Sequence, residues 1–265
     1  MDFKEKGNYS FYDLVGIMKI LRAPNGCPWD AEQTHASIRQ NFIEETYEVI
    51  EAIDDENTEL LKEELGDVLL QIVFHAQMEE EKDAFNIDDV ADGICKKLIV
   101  RHPHVFGDVK ADTAEKVLKN WDDIKMRTKS QKKQTEAMLS VSRALPALMR
   151  SQKIQQKAAK VGFDWSDVNG AAEKLDEEVA ELKEAIKTAD KARIEDELGD
   201  VLFSAVNVAR FAKTDAEKVL YNACEKFISR FKAVEEQSLE RGINIQDADT
   251  EILEDFWNKA KQSEL

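Results

Sequence analysis

The chain has 265 residues, 43% of them apolar and 34% charged, with a formal net charge of −17. That length allows one large domain or two of ordinary size, each with a core of its own. The acidic balance argues against general nucleic-acid binding, which draws its affinity from Lys and Arg on phosphates; a phosphate compound can still bind through a metal ion, which reverses the local charge.

Few breakers interrupt the chain, with only 10 Gly and 4 Pro, and strict two-residue alternation is hard to find. An all-α protein of long helices is the expected class. In chain order, the periodicity predicts helices over about 10–22, 34–54, 58–82, 88–100 and 113–128. The segment "APNGCPWD" reads as a loop after the first. Asn57 or Thr58 suits the cap of the third. Pro103 and Gly107 punctuate "RHPHVFGD" as a loop before the last. The stretch "MRTKSQKKQTEAMLS", roughly 126–140, is basic, polar and poor in large apolar residues, as a linker should be. The same order then returns, with "VGFDWSDVNG" as its early loop and Thr214 or Asp215 starting a later helix.

The return is a repeat. Glu44, Glu45, Glu48, Glu64, Gly66 and Asp67 recur 133 positions on as Glu177, Glu178, Glu181, Glu197, Gly199 and Asp200. "CKKLIVR" (95–101) returns as "CEKFISR" (224–230) at 129. Trp29 parallels Trp165 at 136, and Trp121 and Lys125 parallel Trp257 and Lys261 at the same offset. A period this long is a duplicated domain, with copies over about 1–130 and 136–265.

Each copy places acids on a greasy helical stripe. Ile38, Phe42, Val49 and Ile53 follow helical spacing, and Glu45 falls within the same stripe, with Glu48 one turn on. In the next helix Glu64 and Asp67 take apolar spacing beside Leu61 and Val68. For an antiparallel hairpin the midpoint of 48 and 64 is 56, as is that of 45 and 67. Glu48 is therefore level with Glu64, and Glu45 with Asp67. In the second copy, Glu181 pairs with Glu197 and Glu178 with Asp200 about position 189. The two rungs lie only about 4–5 Å apart along the helix axis. Four converging carboxylates repel. A hard divalent cation relieves them, and oxygen-only ligands favour Mg²⁺, Mn²⁺ or Ca²⁺. A mid-helix glycine costs roughly 1 kcal/mol against alanine, so Gly66 and Gly199 suggest close packing or ligand approach.

The EExxE…ExxD pattern, with "GCPWDAEQT", "EELGDVLLQIVFHAQ", "RHPHVF" and "KIQQKAAKVGFDW", resembles the all-α NTP pyrophosphohydrolases. The tandem layout is similar to that of the family's MazG-like members, over nearly the whole chain. The second copy departs in lacking a counterpart of "RHPHVF". The resemblance implies helix-hairpin or four-helix-bundle cores completed in a homodimer. It also implies hydrolysis of nucleoside triphosphates between the α and β phosphates, dependent on Mg²⁺ with Mn²⁺ as a possible substitute. It puts Glu178, Glu181, Glu197 and Asp200 first as metal ligands, with Glu45, Glu48, Glu64 and Asp67 as a second metal site or a relic. Lys174, Lys226 and Arg230 are implied near the phosphates. Trp257 is a candidate stacking partner for the base, or a core anchor. Glu177 and Glu178 are the catalytic candidates, and which acid takes the proton stays open. A narrower pyrophosphatase of dUTP or phosphoribosyl-ATP, or a non-catalytic helical binding protein, are the rival readings.

His102 and His104 flank Pro103 and read as loop-shaping; His35 and His75 read as lone residues. No phosphate-binding glycine motif is present. Cys27, Cys95 and Cys224 form no CxxC pair and read as reduced thiols. With no signal core and no apolar run long enough to span a bilayer, a cytoplasmic protein without membrane or nucleic-acid partners is expected.

Overall fold

The computed structural model describes residues 4–107, 113 and 134–263. Every regular element among them is helical. The chain folds as two compact units, Met1–Thr128 and Lys129–Leu265. The expected helix over 113–128, with Trp121 and Lys125, lies outside the described residues apart from Thr113. So does the linker stretch up to 133; its remainder belongs to a short helix, Gln134–Leu139.

In the first unit, α1 (Phe11–Arg22) starts at a reciprocal cap. The Ser10 side chain accepts the Asp13 amide while the Asp13 carboxylate accepts the Ser10 amide at 2.8 Å. The loop "APNGCPWD" is not wholly irregular, because Pro28 opens a short helix, α2 (Pro28–Glu32). The next helix, α3 (Arg39–Asp54), starts five residues later than its apolar pattern suggests. Thr34 and Ser37 exchange side-chain-to-backbone bonds of 2.9 and 3.2 Å and hold that stretch as a turn. Asn57 caps α4 (Thr58–Glu80) by accepting the Leu60 amide. Asn86 caps α5 (Ile87–Arg101), and "RHPHVFGD" tightens into one helical turn, α6 (Pro103–Phe106).

The core of this unit gathers Met18 of α1, Ile38 just before α3, and Val73, Phe74 and Met78 of α4. Burying each side chain contributes about 1.5–3 kcal/mol. The second half of α4 thus supplies the core, and its first half is left to carry Glu64 and Asp67. The apolar stripe of α3 fades outward: Ile38 is buried, Phe42 and Val49 half-buried, and Ile53 is exposed.

In the second unit, α7 (Gln134–Leu139) leads into α8 (Ala147–Ala159). The loop after α8 turns at Gly162, whose φ of 81° suits glycine. Asp167 then caps α9 (Val168–Thr188). Asp190 caps α10 (Lys191–Phe211) and Asp215 caps α11 (Ala216–Glu240). A single 3₁₀ turn, Ile245–Asp247, precedes α12 (Thr250–Ser263). Phe256 and Ala260 of α12 are buried, as are Val234 and Ser238 of α11.

The duplication reaches the backbone. α3 pairs with α4, and α9 with α10, as antiparallel hairpins. Each hairpin turns on a residue in the left-handed region, Glu56 (φ 51°) and Ala189 (φ 54°), which are 133 positions apart. The caps Asn57 and Asp190 keep that offset, and Asn86 and Asp215 keep 129. Among the described residues, each unit also leaves one helix exposed along much of its length. No residue of α5 is buried, and residues 218–229 of α11 are all exposed.

Candidate metal centre

Because helix rise is fixed and both turns are short, each hairpin sets its acids in two opposed rungs. In the first unit the carboxyls of Glu48 and Glu64 lie side by side, and Glu45 faces the charge of Asp67. In the second, Glu181 faces Glu197 and Glu178 faces Asp200. One oxygen each from Glu45, Glu48 and Glu64 lie within 4.8 Å of one another, as do one each from Glu178, Glu197 and Asp200. The fourth acid of each set, Asp67 or Glu181, stands just outside that tightest triad.

Crowding raises the carboxyls of Glu45, Glu64, Glu181 and Asp200. Burial, and then the charges of Asp67, Glu48 and Glu44, raise the Glu45 carboxyl above its ordinary range. Burial and the Glu48 carboxyl raise Glu64. The charge of Glu197 and burial raise Glu181, whereas burial and Glu178 raise Asp200. Close, partly buried carboxylates hold protons more tightly. The donors are all carboxylate oxygens in a compact set, which fits a hard divalent cation and not a thiolate- or imidazole-seeking metal.

The two copies differ in what surrounds the acids. Lys174 lies one turn before Glu178 on α9, with its Nζ 2.7 Å from Glu177 and 2.8 Å from Glu178. Its bonds to these carboxylates raise the ammonium well above its usual range. Arg193 Nε, on α10, lies 3.3 Å from Glu197. At the 133-residue offset the first copy has Asn41 and Leu60 in their places, so neither cation has a counterpart there. Arg193 is not among the residues that the sequence singles out, although its spacing of four from Glu197 is a usable signal.

Arg230 lies on α11 with its guanidinium 5.9 Å from the ring of Trp257, and Phe227 packs against the same indole at 5.0 Å. Trp257 is only half-buried. Lys226 is exposed and forms no ion pair among the described residues. Glu177 is exposed at the mouth of the cluster, held by Lys174.

The expectation of close packing at Gly66 and Gly199 is not met within the chain. A methyl group at either position would meet nothing within 4 Å. The space lies away from the acid rungs, because each glycine stands two residues from Glu64 or Glu197 and so on another side of its helix.

His35 and His75 are not lone residues. Their Nδ1 atoms lie 2.7 Å apart with the rings stacked, and His35 Nε2 reaches Glu79 at 2.6 Å. They sit 40 positions apart in sequence, so no local pattern shows the contact. His102 bonds the Leu98 carbonyl through Nδ1 at 2.6 Å, at the end of α5.

A family model described as the MazG nucleotide pyrophosphohydrolase domain matches twice, over residues 33–106 and 168–235. Both matches contain the acid hairpins. A Thermotoga maritima protein named nucleoside triphosphate pyrophosphohydrolase/pyrophosphatase MazG is 47% identical over 251 residues, 95% of each chain. The Escherichia coli K12 nucleoside triphosphate pyrophosphohydrolase is 45% identical over 255 residues, 95% of this chain and 97% of its own.

Proposed function

The chain belongs to the MazG nucleotide pyrophosphohydrolase family, and from that premise we propose that it hydrolyses nucleoside triphosphates between the α and β phosphates. The products are a nucleoside monophosphate and pyrophosphate. The second copy, within about 136–265, carries the main activity, and the first copy spans about 1–130.

The observation that carries this reading is the mixed charge around the second triad. Glu178, Glu197 and Asp200 gather their oxygens within 4.8 Å, and Lys174 stands among them. A triphosphate needs cations on its oxygens, and an acidic cluster alone repels it. Glu178, Glu181, Glu197 and Asp200 hold Mg²⁺, or Mn²⁺ in its place. When bound, that ion neutralises both the carboxylates and the phosphate charge that grows toward the transition state. Lys174 then exchanges part of its pairing with Glu177 and Glu178 for a phosphate oxygen. Arg193, Lys226 and Arg230 add positive charge, with Arg230 steadied by Trp257. The exposed edge of Trp257 offers a stacking surface to the base. Glu177, freed as Lys174 turns to substrate, is placed to orient and deprotonate the attacking water.

The exposed helices support assembly as a homodimer. Val90, Ile94 and Leu98 form an exposed stripe at four-residue spacing on α5. Leu220, Phe227 and Phe231 are exposed on α11. Apolar faces of this kind are sites of association, and a second copy completes the bundle around each hairpin. The protein acts in the cytoplasm, where its substrates are found; among the described residues no helix is long and apolar enough to cross a membrane.

A pyrophosphate-release assay over a panel of ribo- and deoxyribonucleoside triphosphates tests the reading. Turnover on several triphosphates, abolished by EDTA and by Glu178→Ala, is the expected result. Activity on dUTP alone would replace it with the narrower pyrophosphatase.

A further inference from the structure

The second unit has a cleft of about 630 Å³ between α8 and the α10–α11 turn. Lys153, Lys160, Arg210 and Lys213 line it, with Gln152 and Thr214. A chain with a net charge of −17 repels anions over most of its surface, so a cleft where three lysines and a paired arginine outnumber the acids Asp164, Asp215 and Glu217 stands apart from the rest.

The acids nearby are engaged, one of them with the cleft's own arginine. Asp164 takes both terminal nitrogens of Arg210. Asp215 accepts the Lys218 amide at 3.1 Å as the cap of α11. Glu217 accepts the Met149 amide at 3.1 Å. Lys153 and Lys213 are exposed and form no ion pair among the described residues. Gln152 ties the wall together, donating to the Thr214 carbonyl at 2.7 Å and accepting the Ala216 amide at 3.0 Å. The cleft therefore has a fixed frame and two uncommitted ammonium groups.

The first unit supplies an internal control. α1 and α8 start 136 positions apart, at Phe11 and Ala147, so Lys153 and Lys160 answer to Ile17 and Pro24. The Asp83 amide bonds the Glu80 carbonyl, and the Lys213 amide bonds the Arg210 carbonyl in the same way, 130 positions on. Asp83 and Lys213 share the left-handed conformation, at φ 55° and 56°. Four cations in one copy thus stand where the other has two neutral and two acidic residues. Aspartate tolerates that conformation better than lysine, so the backbone gives no reason for a lysine at 213. Where the first unit has a cation nearby it is already paired, Lys19 with Glu80 at 2.6 Å and Arg22 with Glu81 at 2.8 Å.

We infer that this cleft is a second anion site, which takes a small phosphate-type oxyanion directly on Lys153 and Lys213 without a metal ion. Ten residues of α10 separate Arg210 from Asp200, about 15 Å of helix, so the cleft is distinct from the acid cluster. The inference does not depend on the hydrolytic activity proposed above. Free phosphate and pyrophosphate share the chemistry, and the test separates them.

The experiment is calorimetric titration of the full-length protein in EDTA, once with inorganic phosphate and once with inorganic pyrophosphate. Without metal the acid clusters repel both probes. Saturable binding of one anion per chain is expected, stronger for whichever probe is the better occupant, and weakening as salt rises. The Lys153→Gln/Lys213→Gln double variant is expected to weaken it by about a hundredfold, since each of the two lost charged contacts is worth roughly a factor of ten. The Lys153→Arg/Lys213→Arg variant and Glu178→Gln should both bind like the parent chain. No saturable binding of either probe overturns the inference. So does undiminished binding by the Gln double variant with a parent-like circular dichroism melt, or loss of binding only in Glu178→Gln.

Discussion

The two copies share one skeleton and differ in the charges around it. Hairpin turn, helix caps and acid rungs coincide at an offset of 133 residues, down to the left-handed residues Glu56 and Ala189. Yet the first triad, Glu45, Glu48 and Glu64, has no cation at the positions that Lys174 and Arg193 hold beside the second. A cluster of acids alone is suited to hold a cation. A cluster with a lysine among its acids is suited to hold a cation together with a polyphosphate. The comparison teaches that two hairpins can keep the same acid geometry and still differ in the charges set around it.

The sharpest way to break this contrast is to remove one acid from each copy. Glu178→Ala is expected to reduce pyrophosphate release by about 10³-fold, the scale of losing a principal electrostatic contact in the transition state. Glu64→Ala should leave turnover within about threefold of the parent, far below the scale on which a catalytic contact is lost. Equal losses would mean two equivalent active sites.

Next in size is the lysine. Lys174→Gln removes a charged hydrogen-bonding group, worth about 1.5–3 kcal/mol, so kcat/KM should fall roughly 10–100-fold. Metal affinity should be unchanged or slightly tighter, because an ammonium no longer competes for Glu178. Titration with Mn²⁺, followed by its paramagnetic resonance signal, measures this directly. Weaker metal binding in Lys174→Gln would show that the lysine organises the acids instead of serving substrate.

Assembly gives a smaller but independent readout. Ile94→Glu on the exposed stripe of α5 should shift the protein from dimer toward monomer in sedimentation equilibrium, with helical content kept. A monomeric parent chain would remove the dimer from the reading and leave the comparison of the two triads intact.

The smallest effect concerns proton linkage in the metal-free protein. Glu64 has its carboxyl raised in the folded state by burial and by Glu48. A carboxyl with a folded pKa above its unfolded value contributes most stability below the unfolded pKa, and loses that contribution as pH rises through the folded one. In EDTA the parent chain should therefore lose melting temperature between mildly acidic and neutral pH more steeply than Glu64→Gln. Excess Mg²⁺ should reverse the order, because bound metal requires ionised ligands. A steeper slope for Glu64→Gln in EDTA would contradict the crowding of this cluster.

Much of this was legible in the sequence because helices are regular. The helix class, the duplicated hairpins and the pairing of rungs follow from a fixed rise and a short turn. The boundaries that slipped did so where local side chains overrode the pattern, as at Thr34 and Ser37, whose mutual bonds delay α3. Glycines 66 and 199 stood out from the sequence, but their surroundings did not; only the coordinates show that their faces are open. The His35–His75 stack and the Arg210–Asp164 pair span 40 and 46 positions and follow no period.

The sequence by itself therefore determined that acids would face one another at two levels in each half, since repeating backbone geometry carries that information along a single hairpin. The tertiary structure alone decided which three oxygens converge and which cations gather at the far end of α10. Those outcomes depend on side-chain direction and on the packing of helices distant in sequence, and no residue spacing encodes either.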